Sequence, residues 1–212
     1  MLKTKLTTIM VTMTLMLTSY AQADVLTPEY TASPLHVSLV APIQTSSTDS
    51  SVAGLNINLI YGSNYNMTGL QLGLGNHLSG DMRGVQLGLY NKVNHDVYGI
   101  QTGFINSVDG DFCGVQRAFL VNLVDQDFYG HQGAIVNITG GSFYGYQQGL
   151  VNLAENMYGL QTGFYNSTTV AKGVQIGLIN KTHQLSGIQI GLINLQTNRA
   201  LVKFLPIVNA SW

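Results

Sequence analysis

Gly84-Val85-Gln86-Leu87-Gly88-Leu89-Tyr90-Asn91 and, far downstream, Gly173-Val174-Gln175-Ile176-Gly177-Leu178-Ile179-Asn180 are two copies of one eight-residue pattern. Its first glycine returns at Gly54, Gly69, Gly84, Gly99, Gly114, Gly130, Gly145, Gly159, Gly173 and Gly187, spaced by 14 to 16 residues. A repeat of this period has to be read as one architecture before any local motif is weighed. With that glycine as position zero, apolar residues dominate positions one, three and five, while Gly, Gln and Gly fill zero, two and four. Alternation of period two marks a strand with unlike faces, not a helix.

Between the units lie Ser79-Gly80-Asp81, Asn94-His95-Asp96, Asp109-Gly110-Asp111, Gly140-Gly141-Ser142 and Glu155-Asn156. Such short Asn, Asp and Gly clusters accept the backbone angles that a chain reversal needs. Within the repeats every charged residue but Arg117 lies between the eight-residue units and not inside one. The residue before the glycine is often aromatic, as at Tyr98, Tyr129, Tyr144 and Tyr158. Two flanking segments, Leu35 to Ile43 and Leu201 to Trp212, also read as strands, so the ten repeats and their flanks predict twelve.

Only 9% of residues are charged, against about 25% in an ordinary soluble domain, which calls for an apolar surrounding on some face. Lys3 and Lys5, the apolar run from Leu6 to about Tyr20 and the Ala21-Gln22-Ala23 pattern predict a signal peptide over residues 1–23. Residues 24–34 read as a short leader, and 35–212 as a single repeat-built β domain. Without Lys3 and Lys5, seven basic residues face ten acidic ones, a formal charge of −3. No basic patch suggests a nucleic-acid partner. The single cysteine, Cys113, excludes an internal disulfide, and no apolar stretch after Ala23 is long enough for a membrane helix.

Two architectures absorb such a repeat. In a transmembrane β-barrel each unit is one antiparallel strand, with the apolar face in lipid and the Gly-Gln-Gly face toward a lumen. In a parallel β-solenoid each unit is one coil, with Val, Ile and Leu inside and Gln and Asn ladders outside to bind a partner. Length favours an all-β, antiparallel barrel of about twelve strands. Roughly 12 residues at ~3.3 Å, tilted near 40°, span about 30 Å, enough for an apolar band of ~25 Å. On that reading Val85, Leu87, Leu89, Val174, Ile176, Leu178, Ile188, Ile190 and Leu192 face lipid. Gln71, Gln86, Gln101, Gln116, Gln132, Gln147, Gln161, Gln175 and Gln189 face the lumen, as structural amides or pore lining. The tyrosines form girdles at both interfaces, and the terminal Trp212 belongs to the assembly signal.

Thr102, Arg117, Gly133, Gln148 and Thr162 interrupt the apolar face. Arg117 is the one charge inside an eight-residue unit, and that unit has one residue too many before Asn122. A β-bulge near Gln116 and Arg117 is therefore expected, turning Arg117 to the lumen, where it would set anion preference.

Gly84 to Asn91, Gly173 to Asn180 and Gly187 to Asn194 resemble the units of bacterial surface-repeat proteins with the pattern G-[VIL]-Q-[IL]-G-[LF]-[IVY]-N. The likeness covers about residues 54 to 194, and the lead-in from Pro34 to Pro42 resembles the segment before such repeats. It implies placement in the cell envelope and carries no activity with it. His36, His77, His95, His131 and His183 lack metal-ligand spacing, and no nucleophile, base and oxyanion donor converge. The expectation is an exported protein of the bacterial outer membrane or cell surface, a structural barrel or narrow passive pore. It is not an enzyme and has no cofactor or metal; its partners are membrane lipid and the outer-membrane assembly machinery.

Overall fold

The computed structural model describes residues 32 to 199 and 203 to 212. The expected signal peptide and most of the expected leader lie outside them. Among the described residues there are strands and no helix: β1 (Ser33–Val40), β2 (Ile43–Gln44), β3 (Val52–Asn64), β4 (Met67–Leu78), β5 (Met82–Val93), β6 (Val97–Val108), β7 (Phe112–Val124), β8 (Phe128–Gly133), β9 (Val136–Gln148), β10 (Val151–Gln196) and β11 (Phe204–Ser211).

From β3 onward each coil lies parallel on the next, glycine over glycine and amide over amide. Gly69 pairs with Gly84 and Gln71 with Gln86, then Gly84 with Gly99 and Gln86 with Gln101. The result is a β-solenoid of about nine turns. This corrects the antiparallel barrel, because a barrel needs neighbouring units to run in opposite directions and these run in the same one. The three 14-residue spacings after Gly145 shorten the turn by one residue. The ladder then continues unbroken, and β10 runs for 46 residues through several coils.

Four columns point inward in each coil. Position two is the glutamine and position seven the asparagine. Two residues before the glycine stands an apolar side chain: Met67, Met82, Val97, Phe112, Phe128, Phe143 and Met157, all buried. Two residues past the asparagine stand Leu78, Val93, Val108 and Val124, also buried. Identical residues stack because the register is strict. Phe128 sits between Phe112 and Phe143 with ring centroids 5.0 and 5.3 Å away.

Both ends are covered. β1 adds a parallel strand to β3 and turns back through β2, while β11 closes the far end antiparallel to β10. Covering the terminal coils hides the edges on which a stack would otherwise keep growing. The two flanking segments are strands, as the alternation predicts, but they cap a solenoid rather than close a barrel.

Candidate functional site

Two of the four inward columns are polar. Each glutamine Nε2 donates to Oε1 of the glutamine one coil earlier, from Gln86 to Gln71 through to Gln189 to Gln175, at 2.6–2.9 Å. Asn209 of β11 extends the column, its Nδ2 donating to Gln189 Oε1 at 2.8 Å. A lone amide in an apolar core costs roughly 2–7 kcal/mol without partners. Here the coil spacing of ~4.8 Å gives every glutamine amide after Gln71 one neighbour above and one below.

The asparagines form a second ladder running the other way. Asn76 Nδ2 donates to Asn91 Oδ1, and each later asparagine donates onward to Asn194, at 2.8–3.0 Å. The second N–H of each, from Asn76 to Asn180, donates to the backbone carbonyl of position three in the next coil, as from Asn91 to Thr102. That reach passes over position four, which explains its small residue. A Cβ on Gly88 would crowd both Asn76 Nδ2 and Asn91 Oδ1. Ala118 and Ala134 take this slot in two coils; the pairing register slips just past Ala118, and the strand breaks at Ala134 and Ile135. In the first coil Gly62 stands in the asparagine register, and Asn58 fills the gap by donating to Asn76 Oδ1.

The sequence-predicted glutamines are thus all inside, but they fill the interior and line no lumen. The nine residues expected to face lipid are all on the outside: Leu87, Leu89, Ile176, Leu178, Ile190 and Leu192 exposed, Val85, Val174 and Ile188 half-buried. The solenoid anticipated as the rival, with apolar residues inside and amide ladders outside, is therefore turned inside out. A partner cannot reach the ladders.

What the outside offers is an apolar face. Position five is a large hydrophobic in every coil and exposed in each: Leu59, Leu74, Leu89, Phe104, Phe119, Ile135, Leu150, Phe164, Leu178 and Leu192. Phe104 and Phe119 stack at 5.0 Å. Positions one and six flank this ridge with mostly aliphatic and tyrosine side chains. The nine gaps of ~4.8 Å between ten rungs and the five gaps of ~3.3 Å between positions one and six span a face of roughly 700 Å². Large exposed apolar patches on soluble monomers reach about 300–600 Å², and larger ones mark interaction sites.

Arg117 is on this face, exposed, and not turned inward. Gln116 keeps its place in the ladder while Arg117 pairs in register with Thr102 and Gly133. The extra residue of that coil is absorbed later. Pairing with β6 slips between Gly103 and Ile105, so Phe119 and Leu120 stand opposite Phe104. The expected bulge thus falls two residues downstream, beside Ala118, which is why Arg117 never changes faces. His131, one coil on, has its pKa lowered by burial and then by the charge of Arg117.

Four successive coils carry a column of carboxylates. Asp81, Asp96, Asp111 and Asp127 stack three residues before successive glycines, and each carboxylate accepts the backbone N–H of the next residue in the column. Partial burial raises the Asp111 pKa. The Asp127 backbone N–H opposes that, and the flanking Asp96 and Asp127 charges add to it. Tyr129, Tyr144 and Tyr158 stack beside this column at 4.8 and 4.6 Å, all on one edge and not at two interfaces. Because the folded state holds the Asp111 proton more tightly, its penalty is absent below the ordinary value near 3.8 and grows as pH rises through the raised one. Asp111→Asn keeps the acceptor and removes the charge. Its melting temperature is expected to match the parent below about pH 3.8 and to exceed it near neutrality, by less than about 1 kcal/mol of stability. A thermal-melt series against pH with the opposite sign would remove the repulsion from the account.

Comparison with family models, with curated proteins and with solved structures finds no match for this chain.

Proposed function

We propose that this chain is an exported envelope scaffold that lies along a lipid surface on its apolar face, instead of spanning the membrane. The observation that carries this is the unbroken row of exposed hydrophobics at position five. The acidic column lies about half a coil away along the chain, so the molecule is amphipathic across its width. That is the logic of an interfacial helix carried out with strands. The expected signal peptide and the likeness to bacterial surface repeats support placement in the envelope.

Flotation with phosphatidylcholine vesicles tests it. The mature chain is expected to rise with the vesicles. Leu89→Ser with Leu178→Ser should reduce that binding at least about tenfold, since full burial of one leucine is worth about 1.5–3 kcal/mol. The melting temperature should hold, because both side chains point outward and are 57% and 41% exposed. A parent chain that stays at the bottom of the gradient overturns the reading. The area also matches the ~800 Å² per partner of a standard protein interface. Absence of flotation together with a dimer that the same serines dissociate would put a second copy on that face.

A further inference from the structure

The apolar face has a polar interruption at its middle. Position three is Ile57, Leu72 and Leu87 in the early coils and Ile176 and Ile190 in the late ones. Between them it is Thr102, Arg117, Gly133, Gln148 and Thr162. The last four floor a shallow depression of about 790 Å³ walled by Phe119, Leu150 and Phe164 of the position-five ridge. The depression exists because Gly133 has no side chain. Unlike the glycines at positions zero and four, Gly133 is not held to glycine by its neighbours. A Cβ there would meet nothing closer than His131 Nε2 at 3.7 Å and the Gln148 carbonyl oxygen at 3.9 Å.

Arg117 stands in this depression as the one formally charged side chain on positions one to six of any repeat. A guanidinium presents paired donors that match two oxygens of one phosphate. Gln148 and Thr162 bring an amide and a hydroxyl along the same floor, the latter hydroxyl 3.0 Å from Tyr146 OH. We propose that the depression binds the phosphate headgroup of an anionic lipid, with Arg117 as the charge partner and the acyl chains lying over Phe119, Leu150 and Phe164. A charge set among apolar side chains at a lipid surface needs a counter-ion at headgroup depth, and a lipid phosphate supplies it. Burial and then the charge of Arg117 lower the pKa of His131, whose ring lines the same depression.

The inference rests on the lipid-surface reading, and two assays separate their failures. In flotation, the parent should bind vesicles containing phosphatidic acid more tightly than pure phosphatidylcholine vesicles. Arg117→Gln and Gly133→Leu should each erase that difference while leaving phosphatidylcholine binding in place. In calorimetry, dihexanoyl phosphatidic acid below its micelle concentration should bind the parent, and Arg117→Gln should weaken it about tenfold or more, the worth of one charge-assisted hydrogen bond. Glycerol phosphate, lacking acyl chains, should compete poorly; equal competition would show a free-phosphate site and overturn the lipid assignment. Calorimetric binding without any flotation refutes the surface reading and leaves the headgroup site standing. Flotation indifferent to phosphatidic acid and to Arg117→Gln, with no calorimetric binding, refutes the headgroup site alone.

Discussion

Gly114→Ala is expected to prevent the solenoid from forming. The backbone at Gly114 has φ of 137°, which L side chains rarely adopt, and its Cα faces the carbonyl of Gly99 one coil below. A Cβ would lie closer to that oxygen than real Cβ atoms come. Relief would require lifting one coil off its neighbour, and that coil is tied on both sides by backbone ladders and two amide ladders. Strained φ alone costs about 1–3 kcal/mol, and the clash adds to it, so a loss above about 4 kcal/mol is expected. Gly133→Ala is the control, with open space for its Cβ and an expected change within about 0.5 kcal/mol. Urea unfolding followed by far-ultraviolet circular dichroism reads both. Equal tolerance at the two sites would refute the stacked-glycine corner, and with it the parallel register.

The repeat, the strand character and the outward apolar face are all legible in the sequence, because they follow from period and alternation. The direction of neighbouring units is not. Alternation describes one strand and is the same whether the next runs parallel or antiparallel. Position three did hold a clue. Arg117, Gln148 and Gly133 on a supposed lipid face fit a wall in hydrocarbon poorly, whereas the glutamine at position two repeats from Gln71 to Gln189 without exception. A lumen lining tolerates variety; a buried hydrogen-bonded ladder does not. The apolar column two residues before the glycine was legible too, in Met67, Met82, Phe112 and Phe128, but counting those residues into a membrane strand hid it. The residues of the proposed headgroup site, Arg117, Gly133, Gln148 and Thr162, are legible from spacing as interruptions of the apolar face, but the direction of Arg117 is not. Expecting the bulge at Gln116 turned Arg117 inward, and only the slip at Phe119 and Leu120 shows that it stays outside.

Gln132→Leu tests whether the interior amides act as one ladder. The change removes both ladder hydrogen bonds and the longer one that Thr139 Oγ1 donates at 3.4 Å, and it leaves Gln147 Nε2 and Gln116 Oε1 buried without their ladder partners. Each orphaned group costs about 1–3 kcal/mol, so a loss of roughly 2–6 kcal/mol is expected for a substitution that is close in volume and more apolar. Gln71→Leu should cost about half as much. Gln71 ends the column, its Nε2 is already without a partner, and only Gln86 Nε2 is newly orphaned. The stronger test is a pair. Gln132→Leu with Gln147→Leu still orphans only two ladder groups, Gln116 Oε1 and Gln161 Nε2, and the same Thr139 hydroxyl as the single change, because the bond between the two replaced residues vanishes with both its ends. The double change should therefore cost little more than the single one. Gln86→Leu with Gln147→Leu, far apart in the column, should cost about the sum of its parts. Chemical denaturation of the singles and both doubles measures the coupling. Additive losses for the adjacent pair would mean that each glutamine is held by its own coil, and the ladder would cease to explain why every repeat carries one.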